Sequence, residues 1–400
     1  MTTLGLYIHI PFCRKKCAYC DFYSLADSAQ MIQDYTDALC RHLKGFGLRT
    51  AGGYQTDTVY FGGGTPSILG AEVLLKIWDT VRHAYSIAPD AEITLEANPE
   101  SVGEWLSQLR QAGFNRLSLG MQSANDGELH TLGRIHTAQQ VHDAVNCIRR
   151  AGFDNLSLDL MYGLPGQTAQ SWRHSVETAL SYAPEHLSCY GLKIEPETPF
   201  GRRTDLHLPA EDVQAEWYLE TVAELERHGL RQYEISNFAR AGRESRHNRK
   251  YWTLYPYAGF GPGAHSDFNG IRYAFSRNLN AYMNAVRTEN IFRFPDKEKP
   301  FLCREETALS LYSERESISP AERVREWIML GLRTTDGLCA EDFIHRFGEH
   351  SAPFPDSLIT FVRQCVRAGY LYAEPGQIRM TPQGFLLSNQ ITGQILDLFV

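Results

Sequence analysis

Six times between residue 4 and residue 194 a short apolar run is followed by a stretch with helical spacing, and that alternation restricts the possible folds more than any other feature. The runs are Leu4 to Ile10, Thr58 to Phe61, Ile93 to Glu96, Arg116 to Gln122, Asn155 to Tyr162 and His186 to Ile194. Between them lie amphipathic segments such as Ala71 to Tyr85, where Val73, Leu74, Ile77, Trp78 and Val81 recur at helical spacing, and Ala138 to Ala151. Strand then helix, repeated, predicts a parallel sheet. Two of the helical stretches end in Ala-Gly-Phe, at 112–114 and 151–153, with a glycine where a helix must stop before a new strand.

Six such units could form an open doubly wound sheet or an incomplete barrel, and the placement of polar and reactive residues decides. A cysteine-rich loop follows the first run, Gly62-Gly-Gly-Thr-Pro66 the second, Glu96-Ala-Asn-Pro99 the third, Gln122 the fourth and Gly163-Leu-Pro165 the fifth. Chemistry at the C-terminal end of every strand describes a barrel mouth. The expected fold is α/β, an incomplete (β/α)6 barrel.

The loop after the first run holds Cys13, Cys17 and Cys20 in a C-x-x-x-C-x-x-C array. An odd trio is not a disulfide framework, and a closed structural zinc site wants four ligands. Zinc with His9 as the fourth ligand stays open as an alternative, although His9 lies inside the apparent strand. A c-type haem attachment is excluded because Cys20 is followed by Asp21. Three thiolates can hold three irons of a four-iron four-sulfur cluster and leave the fourth iron free for an exchangeable ligand, the arrangement of a radical S-adenosylmethionine (SAM) site.

At 400 residues the chain has room for more than one folded unit. We expect the barrel in residues 1–210, an extension and connecting segment in 211–300, and a C-terminal domain in 301–400. The last stretch reads as helix (Leu358 to Ala368), hairpin (Tyr370 to Met380, turning at Pro375-Gly376) and helix from Gln383, which resembles a winged-helix module. Its DNA-binding use lacks the electrostatics, since residues 320–400 carry seven Arg and no Lys against nine Asp plus Glu. The whole chain has a formal net charge of -8 and a pI near 6.0, which argues against a nucleic-acid partner. No secretory leader pattern and no apolar run of about 18 residues is present, so a soluble cytoplasmic protein is expected. Nine cysteines, six of them scattered singly at Cys40, Cys147, Cys189, Cys303, Cys339 and Cys365, suit a reducing compartment.

Around the predicted mouth, the Gly62–Gly64 backbone can come close to the methionyl ammonium of SAM because glycine carries no side chain. Glu96, Gln122, Arg134 and Asp159 are the polar candidates beside it. Asp159 interrupts the apolar run Leu156, Leu158, Leu160, Met161, and a carboxylate there needs a hydrogen-bond partner, for which a ribose hydroxyl is suited.

Together, Tyr7-x-His-Ile-Pro-Phe-Cys13, the cysteine array, Gly62-Gly-Gly-Thr-Pro-Ser67, Glu96-Ala-Asn-Pro99, Gly120-Met-Gln-Ser123, Leu132-Gly-Arg-Ile-His136 and Leu158-Asp-Leu-Met-Tyr-Gly-Leu-Pro165 resemble the HemN and HemW family of radical SAM proteins. The resemblance implies that Cys13, Cys17 and Cys20 ligate a 4Fe-4S cluster. It also implies that Tyr7, Tyr19, Gly63, Gly64, Thr65, Glu96, Gln122, Arg134 and Asp159 contact SAM. The family has two branches, an oxygen-independent coproporphyrinogen dehydrogenase and a haem chaperone. The dehydrogenase branch has a further cysteine two residues after the third, where this chain has Phe22, and an N-terminal extension, where only six residues precede Tyr7 here. The chaperone branch has an H-N-x-x-Y-W signature, matched by His247-Asn-Arg-Lys-Tyr-Trp252.

That hexapeptide also makes chemical sense for haem. A histidine can ligate the iron, and Tyr251 and Trp252 offer flat faces to a porphyrin. Arg240, Arg243, Arg246, Arg249 and Lys250 surround His247 with Glu244 as the one offset, so arginines there could clamp the propionates. His265, at the end of the glycine-rich Gly259-Phe-Gly-Pro-Gly-Ala-His265 read as a pocket-lining turn, is a reserve ligand. The resemblance further implies haem transfer to acceptor apoproteins, among them respiratory proteins at the membrane, and haem-linked dimerisation.

Overall fold

The computed structural model describes residues 2–26, 28–288, 311–348 and 356–398. The domain boundary expected at 300/301, and Cys303, lie outside the described residues. The first six strands of the expected alternation are present as β1 (Thr2–Ile10), β2 (Tyr54–Gly63), β3 (Ile87–Ala97), β4 (Arg116–Gln122), β5 (Leu156–Tyr162) and β6 (His186–Gly191). β1 through β5 pair in sequence order and in parallel. β4 is buried along its whole length and β1 nearly so, as strands covered on both faces must be.

The intervening helices form for local reasons that can be named. Ser28 caps Ala29–Thr50 by accepting from the Met31 amide, and Tyr35, Leu39, Leu43 and Phe46 line its buried side. Gly70–Ala84 buries Leu74, Ile77, Trp78 and Val81. Thr137 and Gln140 make a capping box at the start of Ala138–Arg150. At the two Ala-Gly-Phe junctions Gly113 and Gly152 take φ of 112° and 92°. The strand order is linear rather than closed, so the architecture is an incomplete (β/α)6 barrel.

The molecule divides into two compact units that do not follow chain order. The first comprises 1–184, 191–208 and 255–317. Here Tyr257–Phe260 pairs in parallel with the free side of β1, and His265–Phe268, Ile271–Phe275 and Tyr312–Ser317 continue the sheet antiparallel. The glycine-rich stretch is therefore a turn only at Gly261 to Gly263, because Gly259 and Phe260 end a strand. The second unit comprises 185–190, 209–254 and 318–400. In it β6 pairs antiparallel with Asn237–Ala239, which pairs with Arg231–Gln232. Its C-terminal part is the expected helical, winged-helix-like module. Helix Asp356–Arg367 leads to the hairpin of Leu371–Glu374 and Gln377–Met380, joined by Leu338–Cys339, and helices Pro382–Leu386 and Ser388–Leu398 follow. Helical structure within 311–348 begins at Pro320, since Tyr312–Ser317 is a strand.

Candidate functional site

The strand ends of the first unit bring most of the sequence-predicted residues together. The cysteine loop leaves β1 and is held on several sides. The Ala18 amide donates to the Leu132 carbonyl at 3.0 Å, and the Phe200 amide donates to that of Ala18 at 2.9 Å. Tyr19 and Ala18 rest against the buried cluster of Leu132, Met161, Leu164 and Phe200. Beyond Cys20 the Tyr23 hydroxyl accepts from the Leu279 amide at 3.1 Å, and Arg277 reaches Asp21 at 3.4 Å. Burial raises the Cys13 thiol and pushes that of Cys20 up to about 11, with the neighbouring thiols adding. Ligation would therefore release protons from this loop.

His9 is not a fourth ligand. Its Nε2 lies 3.0 Å from the Tyr23 carbonyl and its Nδ1 3.1 Å from the Tyr7 hydroxyl. A carbonyl can only accept, so Nε2 carries the hydrogen and Nδ1 accepts from Tyr7. Burial lowers its pKa to about 4, which keeps the ring neutral. Both nitrogens are thus engaged, and the zinc alternative loses its fourth donor. Among the described residues no three His, Cys, Asp or Glu side chains converge on a single metal position. A cluster asks for no such convergence, because each thiolate takes a different iron. The loop fits that group.

The glycine run serves the protein's own backbone. A Cβ on Gly64 would lie 2.6 Å from the Phe12 carbonyl oxygen and 3.0 Å from Cys13 Sγ. One on Gly63, whose φ is 115°, would lie 2.6 Å from the His9 ring. The amides of Gly63, Gly64 and Thr65 are already taken by Glu96 Oε2 (3.1 Å), the Ile10 carbonyl (2.8 Å) and the Phe12 carbonyl (2.8 Å). The run carries the parallel pairing of β1 and β2 on past Ile10 at close quarters, and what remains for a ligand there is acceptor oxygen.

Glu96 accepts from the Tyr60 hydroxyl at 2.7 Å, and burial raises its pKa to about 7. Tyr7 stacks on Tyr60 with ring centroids 6.1 Å apart. Gln122 ends β4 with φ of 64°, uncommon for a side chain of its kind, next to a shift in pairing register with β5 between Leu119 and Gln122. Asp159 receives the Ser118 hydroxyl at 3.2 Å from each carboxylate oxygen. Arg134 donates to Asn98 Oδ1 at 2.7 Å and to the Gly120 carbonyl at 2.9 Å, and lies 3.7 Å from Cys17 Sγ. Sequence reasoning had not picked out Asn98, Ser118 or Tyr60. Asn98 enters the sequence reading only as part of Glu96-Ala-Asn-Pro99, and the fold sets Thr65 and Arg134 on either side of it.

In the second unit His247 sits on the seven-residue helix Arg246–Trp252, capped by Ser245. Its ring is fully buried, and Nε2 is 2.8 Å from the Tyr251 hydroxyl. Tyr251 and Trp252 are half-buried. Of the surrounding cations, Arg249 pairs with Asp336 at 2.6 Å, Lys250 is buried and Arg246 is exposed. His265 is exposed in the first unit, on the strand His265–Phe268.

The radical SAM superfamily profile matches residues 7–179, and the HemN C-terminal domain profile matches residues 318–387. The chain is 36% identical to the heme chaperone HemW of Bacillus subtilis (strain 168), over 98% of both chains. It is 37% identical to that of Escherichia coli (strain K12), over 74% of this chain and 80% of the relative. The solved HemN coproporphyrinogen III oxidase of Escherichia coli superposes over 100% of this chain and 91% of its own, with a TM-score of 0.81 at 22% identity, a likeness of fold alone.

Proposed function

The chain belongs to the HemW family of radical SAM proteins, and from that premise we propose that it is a haem chaperone, binding haem and passing it to acceptor apoproteins while carrying a SAM-chelated 4Fe-4S cluster. The observation that carries this reading is the 36% identity to a heme chaperone along 98% of both chains. Cys13, Cys17 and Cys20 would hold the cluster, which supplies single electrons to the sulfonium of SAM when both are bound. Glu96 would receive the ammonium group of SAM, Arg134 and Gln122 would bind its polar groups, and Asp159 would receive a ribose hydroxyl. Tyr7, Tyr19, Gly63, Gly64 and Thr65 would line the same mouth.

For haem, His247 would be the axial ligand once its bond to Tyr251 opens, with Tyr251 and Trp252 against the porphyrin and Arg243 and Arg246 on the propionates. The acceptors would be respiratory haem proteins, reached from the cytoplasm by peripheral contact with the membrane, and haem binding would favour a dimer. Among the described residues no helix is long and apolar enough to cross a membrane.

The test is anaerobic. The reconstituted protein is given SAM, a reductant and coproporphyrinogen, then titrated with haem and offered a haem-free acceptor. Haem binding and transfer without protoporphyrinogen formation is expected. Efficient decarboxylation would overturn the chaperone reading, and haem binding indifferent to His247→Ala would remove the ligand assignment.

A further inference from the structure

A hydrogen-bonded arc runs over the cysteine loop from one thiol to another: Cys13, Thr65, Asn98, Arg134, Cys17. Arg134 decides the direction of every bond in it. A guanidinium has donors and no acceptor, so the Asn98 atom 2.7 Å from Arg134 Nη2 is the carbonyl oxygen. The Asn98 amide nitrogen then faces Thr65, 3.1 Å from its Oγ1, and must donate to it. That leaves the single hydroxyl hydrogen of Thr65 for the other neighbour, Cys13 Sγ at 3.4 Å. At the far end Arg134 keeps Nη1 toward Cys17 Sγ at 3.7 Å. The convergence needs a glycine beside it. A Cβ on Gly120 would lie 3.0 Å from Arg134 Nη2, from Asn98 Oδ1 and from Gln122 Nε2.

We infer that Asn98 is a positioning residue that orients the Thr65 hydroxyl and the Arg134 guanidinium as donors to the Cys13 and Cys17 sulfurs, and so raises the reduction potential of the bound cluster. The inference rests on the reading of these cysteines as cluster ligands. Reduction adds negative charge to the cluster and its thiolates, and donors aimed at sulfur stabilise that state more than the oxidised one. Because one end of the arc is a guanidinium, the Thr65 hydroxyl is polarised through Asn98 by a fixed positive charge. Asn98 touches neither sulfur. It acts through the two residues that do.

The experiment measures the midpoint potential of the reconstituted cluster without SAM, by electron paramagnetic resonance during anaerobic redox titration, and in parallel the rate at which a chelator removes iron. Thr65→Val and Asn98→Leu should each lower the potential and speed iron loss severalfold, while Thr65→Ser, which keeps the hydroxyl, should match the parent. The double variant Thr65→Val with Asn98→Leu should shift less than the two single shifts summed, since one residue acts through the other. A parent protein that takes up no cluster overturns the reading beneath the inference. A parent cluster whose potential and iron loss are unchanged by Asn98→Leu overturns the inference alone. If Asn98→Leu does not fold, equal potentials in Thr65→Val and Thr65→Ser overturn it.

Discussion

The Nε2 of His247 lies 2.8 Å from the hydroxyl of Tyr251, one turn further along the same short helix, with the two rings edge-on at 88°. The histidine proposed as a haem ligand is thus held inward by its own signature. Tyr251→Phe removes that partner at a cost of about 1 kcal/mol in stability, and should leave haem affinity equal or higher when followed by Soret absorbance. His247→Ala should weaken it tenfold or more.

Glu96 should make SAM binding pH-dependent. Its carboxyl titrates near 7, raised from 4.5 mainly by burial, so it is partly neutral at physiological pH. An anionic carboxylate pairs with an ammonium and a neutral one does not, so SAM affinity measured by calorimetry should rise between pH 6 and pH 8. Glu96→Gln should flatten that profile and lower affinity at pH 8 by roughly tenfold, the worth of one charged hydrogen bond.

Gly64→Ala should disable the cysteine loop. The added methyl meets the carbonyl oxygens of Phe12 and Ile10 at 2.6 and 3.0 Å, and backbone cannot give way as a side-chain tip can. Overpacking of this kind costs about 1–3 kcal/mol. The variant should melt at lower temperature and retain less iron after reconstitution, whereas Gly53→Ala, where a Cβ meets nothing closer than 3.6 Å, should do neither.

Acid should destabilise the fold through its buried histidines. Burial lowers His42 to about 3 and His9 to about 4, while an unfolded histidine titrates near 6.5. Below pH 6.5 the unfolded chain binds more protons than the folded one, so stability is complete above that value and falls toward the folded pKa values. Each histidine contributes a slope of up to about 1.4 kcal/mol per pH unit. Glu96 and Glu234, both raised to about 7 mainly by burial, work in the opposite sense, favouring the fold below 4.5 with a gain that is lost as pH rises through about 7. Urea denaturation at steps from pH 7.5 to 5 should therefore show His42→Gln losing less stability, or gaining more, than the parent toward acid.

The alternation of runs revealed the six strands and most of their ends, because a parallel strand buried on both faces has few sequence disguises. Tyr257–Phe260 escaped notice. It has four residues, one of them glycine, so only its pairing with β1 makes it a strand. A residue type that carries its own chemistry, as Cys13, Cys17 and Cys20 do, announces a candidate site from the sequence. The candidate site was not legible where a residue matters through its neighbours. Gly63 and Gly64 also let β2 and the segment after it lie close against β1 and the cysteine loop, and Asn98 gains its place from Thr65 and Arg134, 33 and 36 positions away.

The ties across the cysteine loop also set a timetable. β1 is made before every other described strand, yet one of its two neighbours is Tyr257–Phe260, and the Asp21–Arg277 and Tyr23–Leu279 contacts each span 256 positions. At ribosomal rates of about 5–20 residues per second, that span takes roughly 13–50 s to emerge. For that interval the nascent chain carries Cys13, Cys17 and Cys20 in a loop whose outer wall does not yet exist. If the loop takes the cluster proposed for it, iron and sulfide loaded before then would meet an open loop, and metal supplied to the released protein should give fuller occupancy than metal present only during translation.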